Sequence, residues 1–306
     1  MIVCAGLTPA WQQIMCFDGL AVGEVNRAQE VHWCASGKVV NVAVALAHLQ
    51  TPVRCLTVLG GPSGKQIDGE LAGLKIERNW VWVDRPTRTC TTLLNRATGD
   101  TTELVENAAP LLGEELQSFR ERFRAAADDA DVVVISGSSP VGTPADLFAE
   151  LLKTTRARSV LDIRGPELIA ALECKPLFIK PNREELEHTL ASPIATSDRL
   201  HAVMRELNER GAEWVLVSQG KLALWISGHG HIYRVTPPAV RYVNPIGSGD
   251  SLAAGIAWAT AAGKPPLEAI RYGVAAAADN VGQLLPARLD LGRVHQLTEE
   301  IQVKKS

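Results

Sequence analysis

The chain has 306 residues, 46% hydrophobic and 21% charged, with a net charge of −3. That length allows one large α/β domain or two modest ones, and the near-neutral balance gives no electrostatic reason to bind nucleic acid or an acidic membrane. Six scattered cysteines (Cys4, Cys16, Cys34, Cys55, Cys90, Cys174) without C-x-x-C spacing exclude a disulfide framework or metal cluster and predict free thiols in a reducing cytoplasm.

Residues 2–7 predict a short apolar strand ending at Thr8-Pro9, and residues 11–33 loosen into half-polar pieces turned at Gly19 and Gly23. Residues 39–49 place Val42, Ala45, Leu46 and Leu49 on one helical stripe. Residues 53–59 are a strand closing at Gly60-Gly61. The run Gly60 to Lys65 is one residue short of a Walker A loop and has Gln66 where Ser or Thr would hold magnesium, so a plain strand-to-helix turn is expected. Residues 80–83, 91–95 and 103–105 predict a second set of short strands, with a hairpin turn at Thr98-Gly99-Asp100.

After Pro110 the rhythm changes. Helices are predicted over 114–127, 144–154, 184–190 and 197–210, alternating with all-apolar strands over 132–135, 160–163, 177–179 and 214–217. Strands of that kind indicate a parallel sheet covered on both faces, with ligands at the carboxyl ends. The half-polar zones, about 9–34 and 80–106, do not fit such a core and predict a small β lid added to it. A strand at 240–243 and a frayed, solvated end at Lys304-Lys305 complete the reading. No membrane span is predicted, and the start lacks a basic region followed by an apolar core, so no signal peptide is expected.

The chemistry concentrates in residues 242–259, YVNPIGSGDSLAAGIAWA. Gly247-Ser248-Gly249 can bring bare backbone close to a ligand, and Asp250 opens an Ala-rich helix whose first N–H groups lack internal partners. Asp250 suits either a base beside that anion hole or a capping carboxylate. In Lys180-Pro181-Asn182-Arg183-Glu184-Glu185-Leu186, Asn182 and Glu185 suit either a hydrated magnesium or a capping box. Ala35-Ser36-Gly37-Lys38 suits an anion site or a solvated loop. Neither G-x-S-x-G nor H-E-x-x-H occurs, which argues against a serine hydrolase or a zinc enzyme.

Together NPIGSGDSLAAG, KPNREEL, ISGSSPVG and SGKVVNVAVAL resemble, in order and spacing, the ribokinase-like (PfkB) family of sugar kinases, and within it the phosphosugar branch of tagatose-6-phosphate kinases and 1-phosphofructokinases. The resemblance implies a single domain over 1–306, a three-layer α/β/α core with a mostly parallel sheet and a small β lid often used for dimerisation. It implies an ATP- and Mg²⁺-dependent kinase of a phosphorylated ketohexose, tagatose 6-phosphate before fructose 1-phosphate or fructose 6-phosphate. By the same resemblance Asp250 is the base, and Gly247, Ser248 and Gly249 hold the transferring phosphoryl. Lys180, Asn182, Glu185, Ser218, Gly220 and Asn280 serve the nucleotide, with Glu185 and Asn182 reaching the metal through water. Gln12, Arg27, Lys38, Asn41, Arg88 and Ser138 serve the sugar phosphate. There are departures. Gln12 stands where the family has an Asp, the Gly-Gly-Lys-Gly loop is reduced to Ser36-Gly37-Lys38-Val39, and Leu222-Ala223 replaces an Asp-Gly. They leave open a sugar-phosphate sensor without turnover, or a kinase of an unphosphorylated sugar or nucleoside.

Overall fold

A computed structural model of the chain describes residues 1–220 and 222–306; Lys221 lies outside them. β1 (Ile2–Ala5) opens the core, and β2 (Ala10–Phe17) and β3 (Glu30–Ser36) leave it as a hairpin. α1 (Lys38–His48), β4 (Val53–Gly60), α2 (Gly61–Leu71) and β5 (Ile76–Val83) return, and β6 (Thr89–Asn95) and β7 (Asp100–Val105) leave again. Helices and strands then alternate through α3 (Gly113–Ala127), β8 (Val132–Ser136), α4 (Leu147–Leu152), β9 (Arg158–Asp162), α5 (Pro166–Ala171), β10 (Phe178–Ile179), α6 (Arg183–Leu190), α7 (Ser197–Glu209) and β11 (Trp214–Val217). β12 (Leu224–Gly228), β13 (His231–Val235), α8 (Ser248–Ala261), α9 (Pro266–Val281), α10 (Leu291–Glu300) and β14 (Val303–Lys305) complete the chain.

The large sheet has the order β14-β13-β12-β11-β10-β9-β8-β1-β4-β5. Every neighbouring pair from β11 to β5 is parallel, and β12, β13 and β14 add on antiparallel. The strand sequence explains the layering. Successive side chains point to opposite faces, so Ile2 and Cys4 enter the core under α1, α2, α8, α9 and α10. Val3 and Ala5 enter the other, under α3 to α7. A strand apolar on both sides is stable only between two such layers.

The small sheet has the order β3-β2-β6-β7. Alternation again sets its faces: Ile14 and Cys16 of β2, Cys34 of β3 and Leu94 of β6 form a buried cluster against Leu284 and Leu285. This sheet therefore sits over the loop that follows α9.

Three expectations are corrected. Residues 80–83 belong to β5, which pairs with β4 along its whole length, Val53 opposite Ile76 to Gly60 opposite Val83. As the sheet's edge it buries Trp80 in one core and Val81 in the other while leaving Glu77, Arg78 and Trp82 exposed, and that partial exposure mimics a lid strand. Residues 240–243 form no strand; the amides of Val243 and Asn244 both donate to Val281 O at the end of α9. Lys304 and Lys305 are held in β14, paired with Arg234 and Tyr233 of β13. All six cysteines are unpaired, and among the described residues no helix is long and apolar enough to cross a membrane.

Candidate active site

The approach to α8 is a sequence of satisfied turns. Asn244, buried, accepts from Ile246 N at 3.0 Å and donates to Leu284 O at 2.8 Å. Gly247 caps α8 at φ 82°, and a Cβ there would lie 2.8 Å from Pro286 Cβ, so the position requires glycine. Ser248 N donates back to Pro245 O. Among the described residues the amides of Gly247, Gly249 and Asp250 have no acceptor, and all three residues line the same cleft. Free amides at a helix start form a cup for an anion.

Asp250 lies in the first turn of α8 and is 5% exposed. Its Oδ2 accepts from Asn41 Nδ2 at 2.7 Å, and Asn41 Oδ1 accepts from Ser36 Oγ at 3.1 Å. Burial, with the negative charge of Asp162 added to it, pushes the Asp250 carboxyl up to about 6, against the pull of Lys38. Gly247, not Asp250, is the N-cap. A desolvated carboxylate held by an amide and tuned toward neutrality has the character of a base.

Beside it lies a cluster of charge centred on Asp162, which no motif announces. Asp162, the last residue of β9, is 1% exposed. Its Oδ1 is 3.1 Å from Lys180 Nζ and 3.2 Å from Lys38 Nζ. Lys38 also donates to Glu185 Oε1 at 2.8 Å. Although burial opposes ionisation, Lys180 and then Lys38 hold the Asp162 carboxyl below its ordinary range. Burial likewise opposes the Lys38 charge, but Asp162, Glu185 and Asp250 raise its ammonium above the usual lysine range. A Cβ on Gly249 would stand 3.3 Å from Lys180 Nζ, so that ammonium reaches the glycine turn.

At the start of α6 the capping box is real: Asn182 Oδ1 accepts from Glu185 N at 2.7 Å, and Glu185 Oε2 accepts from Asn182 N at 2.9 Å. Each of these oxygens keeps a lone pair, and both side chains line the cleft. No cluster of three His, Cys, Asp or Glu occurs among the described residues. The donor set therefore fits a hydrated Mg²⁺ held through water and does not fit a bare ion in a protein cage. Ser218 is bridged to Asn182, and Gly220 follows at φ 59°.

On the lid side, Gln12 is buried and donates from Nε2 to Thr92 Oγ1 at 2.8 Å. Arg88 spends three donors on main-chain carbonyls: Nε on Pro9 O, Nη2 on Thr8 O and Nη1 on Glu106 O. Gln12, Lys38, Asn41, Arg88 and Ser138 share one cleft of about 520 Å³ with Gly247 to Asp250, Lys180, Asn182, Glu185, Ser218 and Gly220. Two expected residues are not among those lining it. Arg27 is exposed on the β2–β3 connection. Asn280 is fully buried in α9, where it donates to Ile246 O at 2.9 Å and accepts from Ala287 N at 2.6 Å, bracing the glycine turn from behind.

Asp162, Arg164, Glu103 and Cys90 also line the cleft and escape sequence reasoning. For Asp162 there was a signal: a carboxylate ending an otherwise apolar strand. Glu103 is brought in by register, since Thr92 of β6 pairs with it across to β7; burial raises its carboxyl, with Arg88 opposing.

Residues 1–287 match the family described as pfkB family carbohydrate kinase. Among solved structures the chain is similar to Escherichia coli phosphofructokinase-2 in complex with fructose-6-phosphate, at 24% identity, with 98% of each chain covered and a TM-score of 0.85. It is also similar to a Thermotoga maritima protein described as a possible 1-phosphofructokinase, at 21% identity, with 100% of this chain and 99% of that one covered and a TM-score of 0.89. These likenesses concern the fold: a large, mostly parallel sheet between helical layers with a small second sheet. With the family match running from the first strand through the end of α9, the chain belongs to the pfkB family of carbohydrate kinases and is a phosphotransferase acting on sugars.

Proposed function

We propose that the protein transfers the terminal phosphoryl group of ATP to a hydroxyl of a phosphorylated ketohexose, giving a bisphosphate. Tagatose 6-phosphate is the first substrate we expect, then fructose 1-phosphate and fructose 6-phosphate. The carrying observation is the buried Asp250 carboxylate, 2.7 Å from Asn41 Nδ2, in the same helical turn as the acceptor-free amides.

In this reading Asp250 takes the hydroxyl proton as the acceptor oxygen bonds to phosphorus and the bond to the leaving phosphate oxygen breaks. Gly247, Gly249 and Asp250 amides face the oxygens of the transferring group, and Lys180 stands beside them. Loose phosphoryl transfer needs such positioning and charge neutralisation more than a strong base. Asn182 and Glu185 would hold Mg²⁺ through water, and the ion would supply charge neutralisation to the phosphates. Ser218 and Gly220 border the nucleotide. Gln12, Lys38, Asn41, Arg88 and Ser138 border the acceptor; Gln12, with its Nε2 engaged by Thr92, offers a carbonyl to sugar hydroxyls. That the fold is shared with a phosphofructokinase-2 bound to fructose-6-phosphate supports the substrate class. We also propose a homodimer formed through the lid, and a cytoplasmic location in keeping with six unpaired cysteines.

The test is a coupled assay of ADP release across a panel of hexose phosphates with ATP and Mg²⁺. Acceptor-dependent ADP and a bisphosphate product are expected. Tight sugar-phosphate binding with no ADP formed would instead identify a sensor.

A further inference from the structure

We infer that Arg164 is the cation that receives the acceptor's own phosphate, making it a specificity-determining residue of the cleft. The inference rests on the reading above that the acceptor carries a phosphate.

It follows from an account of charge. Four cations line the cleft among the described residues: Lys38, Arg88, Arg164 and Lys180. Lys38 and Lys180 are committed to Asp162 and Glu185. Arg88 has three of its donors on carbonyls of the chain. Lys38, Lys180 and Arg88, whose guanidinium keeps its charge although three of its donors are spent, thus face four carboxylates, Asp162, Glu185, Asp250 and Glu103. A phosphate carrying about −1.5 to −2 charges would meet net repulsion there unless another cation were available. Arg164 is that cation: it is exposed, and among the described residues it makes no hydrogen bond and no ion pair.

Its position has a matching space. At Arg164 the cleft adjoins a side chamber of about 150 Å³ that shares Gly137, Ser138, Ile163 and Arg164 with it. The chamber belongs to the helical layer of α5 and α6, whereas Asp250 comes from α8 in the opposite layer. An acceptor with its reacting hydroxyl at Asp250 and its phosphate at Arg164 would span the carboxyl ends of the strands from one layer to the other. Glu167 also lines the chamber, so a dianion held there needs the guanidinium, which presents paired N–H donors suited to phosphate oxygens.

The experiment compares wild type with Arg164→Ala and Arg164→Lys, using ATP, Mg²⁺ and the hexose phosphate that wild type accepts best. Arg164→Ala should raise the acceptor KM by roughly 10- to 100-fold while the ATP KM moves less than about twofold, and Arg164→Lys should recover part of the loss. Competitive inhibition by inorganic phosphate against the acceptor should weaken in parallel. An unchanged acceptor KM, or a rise confined to the ATP KM, overturns the inference while leaving the proposed function standing. Should wild type release no ADP with any hexose phosphate, the proposed function falls; Arg164 is then judged by calorimetric binding of inorganic phosphate, whose persistence in Arg164→Ala overturns the inference. Because the side chain is exposed and unpartnered, both variants should melt as wild type does.

Discussion

Asp250 is expensive to keep. Its carboxyl pKa is pushed up to about 6 by burial and by Asp162, so above that pH the ionised group opposes folding, and the penalty is relieved as pH falls through about 6. Asp162 has the opposite sign, because its lowered pKa makes ionisation favour the fold, a contribution lost as acid protonates it. One carboxylate pair thus divides into a structural anion and a tuned base. Replacing Asp250 with Asn should lower kcat by about 10²- to 10⁴-fold and, at pH 8, raise Tm rather than depress it. A variant that is both inactive and less stable would show that the residue's role is structural. In wild type, kcat/KM should fall by about tenfold per unit below pH 6, since protonated Asp250 cannot accept the hydroxyl proton. A pH profile whose acid limb lies near 4, or survives unchanged in Asp250→Asn, would remove Asp250 from the base role.

The glycine turn and α8 were legible in the sequence because their constraint is local. Gly247 needs a left-handed φ, and a helix must begin where its free amides serve. Gly247→Ala should cost about 1–3 kcal/mol, read as a lower Tm, because its Cβ would meet Pro286 and its φ is strained. It should also slow turnover by shifting the amide cup, whereas wild-type stability with full turnover would count against the cup. Long-range placement was not legible. Lys38 meets Asp162 and Glu185 across separations of 124 and 147 residues, and only the adjacency of β9 and β10 together with the start of α1 creates that meeting. β5 was misplaced for a related reason: an edge strand and a lid strand are both partly exposed, and only pairing with β4 distinguishes them. Asn280 matched a family position, yet its amide is consumed by Ile246 O and Ala287 N.

Arg88 ties the lid's entry to its exit: its guanidinium joins the carbonyls of Thr8 and Pro9, where the chain first leaves the core, to that of Glu106, where it returns from the lid. The lid's inner face carries Gln12 and Glu103 over the cleft. Its outer face is open and partly apolar, with Val31 47% exposed, Trp33 45% and Leu104 55%, and Trp33 stacked on Trp11 with ring centroids 6.0 Å apart. Exposed apolar side chains of that kind on a sheet edge favour burial by a second chain, and a twofold axis would bring the same face of two copies together. The wild-type protein should therefore sediment at twice 32.9 kDa at micromolar concentration. Trp33→Glu places a charge on that face, on its edge strand β3, and should yield a folded monomer. Because the same strands carry the acceptor-side residues, the monomer should show a higher acceptor KM with the ATP KM little changed. A wild-type protein that sediments as a monomer, or a Trp33→Glu dimer, would locate any assembly elsewhere and leave the lid only its role of covering the cleft.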